Sequence, residues 1–213
     1  MNISTSSLAN TVVVLDFETT GLSPNQGDRA IEIGAVKLEN GQVVDQFQQL
    51  MNPGRRVSSF IEGYTGITNT MLSDAPSCEE VMTDFASFIG DANLVAHNAS
   101  FDQRFLDAEF DRISHRYDGE FACSLLIARR LYQDAPNHKL GSLVTYKNIE
   151  TDGVFHRALA DSEMTAKLWL QMLEDMKTDF DIQSPSFKLM QQISKKTKAA
   201  VPTFLYRTGK GRA

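Results

Sequence analysis

The run Thr11-Val-Val-Val-Leu-Asp-Phe17 is apolar and largely β-branched, the pattern of a fully buried strand. Such a segment commits the chain to a sheet that is covered. Two carboxylates, Asp16 and Glu18, stand at the end of the run. A spacing of two on a strand puts both on one face. Acids at the end of a buried strand are costly unless they are paired or bound to metal. The bland alternative is a partly exposed strand end with two solvated acids, and the pair alone does not decide between these readings.

The segments that follow supply the rest of a mixed sheet. A turn-rich loop, Thr19 to Gly27, leads to an alternating stretch from Ala30 to Leu38. Asn40-Gly41 is a hairpin signal, so Val43 to Met51 reads as a third strand, antiparallel to the second. Apolar residues at Val81, Phe85 and Phe88 or Ile89 fall at helical spacing between Pro76 and Gly90. Asn93 to His97 is a short buried strand. Ser100 to Ile113 is a helix with Phe101, Phe105, Leu106 and Phe110 on one side. Cys123 to Tyr132, Lys139 to Tyr146 and a long stretch from Ala158 to Met176 complete the helices. A meander followed by alternating strands and helices implies an α/β or α+β domain. The expected division is a domain over residues 1–178 and a basic C-terminal extension over 179–213.

Composition narrows the class. Two cysteines, Cys78 and Cys123, lie far apart with no CxxC, which indicates neither a zinc site nor a disulfide framework. Residues 1–10 show no signal-peptide pattern, and no apolar run approaches the ~18 residues of a membrane span. A cytoplasmic setting and no membrane partner are the expectations. There is no glycine-rich phosphate loop with a lysine, which argues against a phosphotransferase. The net charge of −6 hides an asymmetry. Residues 183–213 hold seven basic residues and no acidic one, leaving the rest of the chain at −13. That basic segment reads either as a solvated extension or as a phosphate-contacting one.

Two further groups extend the pattern of Asp16 and Glu18. His97-Asn-Ala-Ser-Phe-Asp102 follows the short strand, and His156-Arg-Ala-Leu-Ala-Asp161 opens the long helix. Singly, Asp102 merely suits a helix N-terminus, and His156 is an ordinary loop histidine. Together, and in this order, the three groups resemble the exonuclease motifs of the DnaQ-like, or DEDDh, superfamily over about Thr11 to Met176. The resemblance implies an RNase H-like α/β fold, a five-stranded mixed sheet flanked by helices. It implies that Asp16, Glu18, Asp102 and Asp161 hold two divalent cations, Mg²⁺ or Mn²⁺, and that His156 is the general base. Four hard oxygen donors suit those ions. A pair of them can activate water and stabilise the leaving oxygen, and a histidine titrating near neutrality can take the proton.

The implied reaction is 3′→5′ hydrolysis of a nucleic acid with a free 3′ end, taken as single-stranded DNA, to nucleoside 5′-monophosphates. The resemblance also implies that Thr19, Thr20 and Leu22 meet the terminal nucleotide, with Leu22 pressing on the last base. Thr65-Gly-Ile-Thr68 resembles a segment of proofreading members and makes Ile67 a base wedge, against the plainer reading of a core isoleucine. His97 and Asn98 lie beside the site, His97 as a satisfied structural histidine. The chain most resembles the epsilon proofreading subunits of bacterial DNA polymerase III and related stand-alone DnaQ-like exonucleases, which makes a DNA polymerase a candidate partner. Gln183-Ser-Pro-Ser-Phe187 is loosely similar to a sliding-clamp peptide, although Met190 fits an amphipathic helix better. RNA-trimming relatives share the catalytic set, so the sugar stays open. A non-catalytic nucleic-acid-binding domain of this fold is the other alternative.

Overall fold

The computed structural model describes residues 8–151 and 157–211. Its sheet contains β1 (Val12–Thr19), β2 (Ala30–Glu39), β3 (Gln42–Leu50), β4 (Leu94–Ala96) and β5 (Phe121–Cys123) in the order β3-β2-β1-β4-β5. β1 is central, antiparallel to β2 and parallel to β4. The β2–β3 hairpin turns at Asn40 (φ 52°) and Gly41 (φ 78°). Two successive left-handed residues make the tight turn whose twist matches the strands.

The helices are α1 (Ser59–Thr65), α2 (Asn69–Ser73), α3 (Cys78–Ile89), α4 (Ser100–Arg112), α5 (Ser124–Leu131), α6 (Leu140–Tyr146), α7 (Ala158–Phe180), α8 (Phe187–Lys195) and α9 (Val201–Lys210). Ser77 starts α3 with a reciprocal capping box to Glu80. Alternation along β1 divides the core into two layers. Val12 and Val14 pack with residues of α5, α7 and α8, whereas Val13, Leu15 and Phe17 pack with α3 and α4. A period of two therefore sends Asp16 to the α7 side of the sheet.

The basic C-terminal segment is packed onto the domain. Ile182, Phe187, Leu189, Met190, Ile193, Val201 and Leu205 are buried in the same core as Val12 and Trp169. The Trp169 indole donates to the carbonyl of Ala9 at 2.7 Å, and the backbone of Ala9 donates to Pro185 O at 3.0 Å. The clamp-peptide reading of residues 183–187 fails here, because Phe187 and Met190 face Trp169 and the core rather than solvent. Among the described residues no helix is long and apolar enough to cross a membrane.

Candidate active site

Three elements converge at the end of β1. The strand supplies Asp16 and Glu18 on the face that α7 covers, and α7 supplies Asp161 in its first turn. One carboxylate oxygen from each of these residues lies within 4.8 Å of the other two. Asp102 comes from α4, in the opposite layer, which is why it stands apart from that trio. It is buried and accepts a bond from the backbone N–H of Phe17 at 3.2 Å. That bond places it against β1 beside Asp16. Among the described residues, the donor set is all carboxylate oxygen and uncompensated by a bonded cation at Asp16 or Glu18. This chemistry fits a hard divalent ion.

The close approach of α7 is written into β2. A Cβ on Gly34 would lie 2.1 Å from Leu159 N and 2.2 Å from Ala158 C, so only glycine fits. The Ser162 hydroxyl then donates to Gly34 O at 2.8 Å. One pleat along, the fully buried Glu32 accepts from Arg157 Nη2 at 2.7 Å and from Ala158 N at 3.1 Å. Glu32 also faces Glu18 across the β1–β2 ladder. It thus anchors the first turn of α7, three residues ahead of Asp161, and holds Arg157 near the acids.

Above the carboxylates opens a pocket of about 800 Å³. Asp16, Glu18, Thr19, Thr20, Leu22, His97, Asn98 and Asp161 line it, together with Phe60, Tyr64, Phe101 and Leu140. Leu22 is 77% exposed, Phe60 73% and Tyr64 53%. The Phe60 and Tyr64 rings are stacked, with centroids 6.0 Å apart and 10° between planes. The pocket thus has an apolar, aromatic rim over an acidic floor.

This geometry has counterparts in known proteins. The family model described as RNase_T, exonuclease, matches residues 13–169. The chain belongs to that exonuclease family. It is 42% identical over 173 residues to a DNA polymerase III PolC-type of Caldanaerobacter subterraneus subsp. tengcongensis, covering 81% of this chain and 12% of the relative. A PolC-type polymerase of Staphylococcus epidermidis is likewise 42% identical over 168 residues, 78% of this chain and 12% of that protein. The chain thus spans about an eighth of the length of these relatives. Among solved structures, exonuclease X in complex with 5′ overhanging duplex DNA matches with a TM-score of 0.68 and 27% identity, covering 86% of this chain and 99% of that one. The nuclease domain of 3′hExo, a DEDDh family member bound to rAMP, matches with a TM-score of 0.66 at 21% identity, covering 83% and 96%. The five-stranded mixed sheet flanked by helices is the RNase H-like fold of these exonucleases.

Within this exonuclease fold the other residues singled out by sequence take differing places. His97 has both ring nitrogens engaged. Nε2 lies 2.9 Å from the His138 carbonyl, which can only accept, so Nε2 carries the proton. Nδ1 is then the acceptor for the Ser124 hydroxyl at 2.8 Å. Burial pushes the imidazole down to about 4, so it is neutral at physiological pH and tied to structure. Thr19 donates to Gly21 O at 2.6 Å, and Thr20 donates to Asp28 at 3.0 Å. Both hydroxyls shape the loop under Leu22. Asn98 takes a left-handed conformation, φ 76°, at the turn from β4 to α4.

The base-wedge reading of Ile67 is overturned. Its side chain is fully buried with Ile31, Val57 and Leu72 in a small core of its own. The exposed apolar residues of that region are Phe60 and Tyr64 on α1, about two turns and one turn upstream. Sequence reasoning missed them because α1 is seven residues long and too short to show a periodic face. His156 lies outside the described residues.

Electrostatics at the floor follow from crowding. Burial pushes the Asp16 carboxyl upward, and the charges of Asp102, Asp161, Glu18 and Glu32 add to it. Glu18 rises to about 8, through burial and then Asp161, Glu32 and Asp102, with Arg157 opposing. Burial also moves Asp102 upward, against its bond from Phe17 N. A carboxyl whose folded pKa exceeds its unfolded value holds a proton that the unfolded chain has released. Without metal, the stability these floor carboxyls contribute is therefore fully present at low pH and is lost as pH climbs from the ordinary carboxylate range through about 8 for Glu18. The melting temperature of EDTA-treated protein should fall between pH 5.5 and 8.5. Added Mg²⁺ or Mn²⁺ should raise it, and more strongly at the higher pH, since the ion must compete with those protons. A metal-induced shift that did not grow with pH would contradict this account of the floor.

Removing the anchor on β2 has its own signature. Glu32→Gln keeps the shape but strips the charge from a buried acceptor of four groups, Arg157, Ala158, Gln48 and the arginine's second nitrogen. Hydrogen bonds to charged groups are worth about 1.5–3 kcal/mol, so the melting temperature should drop by about 5 °C. Weaker divalent binding should accompany it, read by titrating the same thermal shift. No change in either quantity would show that Glu32 does not anchor α7.

Proposed function

We propose that this exonuclease works in the 3′→5′ direction on single-stranded DNA ends and releases nucleoside 5′-monophosphates. The convergence of Asp16, Glu18 and Asp161 within 4.8 Å at the floor of an aromatic-rimmed pocket carries the reading. In it, Asp16, Glu18 and Asp161 hold one divalent cation, Mg²⁺ or Mn²⁺, and Asp102 with Asp16 holds a second. Bound there, the ions supply Lewis-acid activation of water and neutralise charge at the scissile phosphate. His156, next in sequence to Arg157, is the general base that takes the proton of the attacking water. Leu22, Phe60 and Tyr64 receive the terminal base by apolar contact and stacking, which any unpaired base can offer whatever its identity. Thr19 and Thr20 hold the loop that presents Leu22. His97 and Asn98 shape the far wall.

DNA is favoured by the 42% identity to PolC-type DNA polymerases. The same likeness supports association with a DNA polymerase and work in the cytoplasm. The test is a comparison of initial rates on matched single-stranded DNA, duplex DNA with a mismatched 3′ end, fully paired duplex and RNA. Mononucleotide should appear fastest from single-stranded and mismatched DNA, only with divalent metal and only from the 3′ end. Faster trimming of RNA would move the assignment to an exoribonuclease. Absence of release from every substrate would leave a binding domain.

A further inference from the structure

The site described above is strongly acidic, and a polyanion must still be delivered to it. The route begins at the pocket wall. His97 is bonded to Ser124, the first residue of α5. From there α5 runs for eight residues, about 12 Å at 1.5 Å each. Arg129 is exposed near the end of α5, and the His138 carbonyl accepts from His97 Nε2 at 2.9 Å. The exposed Lys139 precedes Leu140 of the pocket wall. At its far end α5 grips the loop after α8. Arg130 Nε donates to Lys196 O at 3.1 Å, and Gln133 Nε2 donates to Lys198 O at 3.0 Å. Those two bonds use backbone carbonyls, so they fix the loop without consuming its lysine charges. Lys195 and Lys198 stay exposed, and Lys196 lies over the Phe204 ring at 4.6 Å.

We propose that α5 and the loop of Lys195, Lys196 and Lys198 form a phosphate track. It carries the strand upstream of its 3′ end from the pocket, past Arg129, to the C-terminal lysines. The inference rests on the exonuclease reading of the pocket and extends it to the path of the substrate. Charge complementarity argues for a sugar–phosphate partner. Residues 183–213 contain no acid, and Asp134 is the single acidic residue between Ser124 and Lys139. Elsewhere the chain is net acidic, so this is where a polyanion gains most from contact. Phe187, Leu189, Met190 and Ile193 of α8 and Val201 and Leu205 of α9 are spent on the core, while Lys195 and Lys198 face out.

Two double variants with the same change in total charge test the track: Lys195→Glu/Lys198→Glu on it, and Arg116→Glu/Lys177→Glu away from it. Each is assayed on a 20-nucleotide single strand and on the p-nitrophenyl ester of thymidine 5′-monophosphate, which fills only the pocket. On the track variant, kcat/KM for the 20-mer should fall by about tenfold at low salt. The slope of log affinity against log salt should become shallower by about 0.7 for each phosphate that the protein no longer neutralises. Ester hydrolysis should stay with that of the wild type. The distant variant should keep both rates and the slope. Equal losses on the two variants would mean a diffuse charge effect and overturn the track. If the wild type releases no p-nitrophenol with metal present, the reading of the pocket itself fails, independently of the track.

Discussion

Asp16→Asn should abolish nucleotide release while making the metal-free protein more stable. Asp16 is the acid that both parts of the floor share. It belongs to the close trio with Glu18 and Asp161, and Asp102 is the first of the charges acting on it. A neutral amide in its place withdraws a ligand from each proposed cation position at once. Loss of a single preorganised electrostatic partner commonly costs 10²–10³-fold in turnover, so the expected fall is on the order of 10³-fold or more. The same substitution removes one of several like charges forced together, and the repulsion it relieves is present only when no cation is bound. In EDTA at pH 8, the variant should therefore melt above the wild type. With saturating Mn²⁺ the order should reverse. Mononucleotide release from a labelled 3′ end and thermal melts with and without metal check both halves. A variant retaining more than a few per cent of the wild-type rate would mean that Asp16 is not a metal ligand. A variant less stable in EDTA would mean that the acids are not in conflict.

A chain ending at Thr178 should fold poorly or not at all, even though it keeps every proposed catalytic residue. The truncation removes Ile182, Phe187, Leu189, Met190, Ile193, Val201 and Leu205, all buried in the layer beneath α5 and α7. It also uncovers Trp169 and frees residues 8–9 from Pro185 and Ser186. Burial of each large side chain is worth about 1.5–3 kcal/mol, against a total stability of about 5–15 kcal/mol for a domain. The melting temperature should fall by more than about 10 °C, with loss of solubility as the newly exposed face associates. Phe187→Ala is the milder arm. A buried Phe→Ala change costs about 3–5 kcal/mol, which for a domain of this size is a drop of about 10 °C. Circular-dichroism melts on all three proteins decide the matter. If both variants melted within two or three degrees of the full chain, the C-terminal helices would be ornaments on a self-sufficient domain. Because folding and charge are entangled in this segment, its charges have to be tested by substitution on the intact chain.

The order of the motifs and the local periodicities were legible in the residues themselves. β1 with Asp16 and Glu18, the Asn40-Gly41 hairpin, α3, α4 and α7 all follow from patterns repeated over enough residues to be read. Boundaries drifted where tertiary pairing prevails over propensity. Cys123 reads as the first residue of a helix, yet it closes the strand β5 with Phe121 and Ala122 because β4 offers them a parallel edge. Three residues carry too little pattern to announce a strand.

Side-chain destinations were less legible. Thr65-Gly-Ile-Thr68 has the look of a segment that touches substrate, but Ile67 turns inward where Ile31, Val57 and Leu72 leave an apolar hole. Phe60 and Tyr64 carry the exposed surface instead. The charge of residues 183–213 suggested an extension, whereas the spacing of Phe187, Met190 and Ile193 makes a face that only the groove beside Trp169 can bury. Glu32 gave no signal at all, being one acid in an alternating strand. Its role exists only because β2 meets the first turn of α7 at Gly34, where Arg157 and Ala158 need an acceptor. Sequence by itself determined which chemistry the chain carries, since ligand type and spacing are local properties. The tertiary structure alone decided which side chains share the site, because that depends on the layers β1 separates and on which face each helix must hide from water.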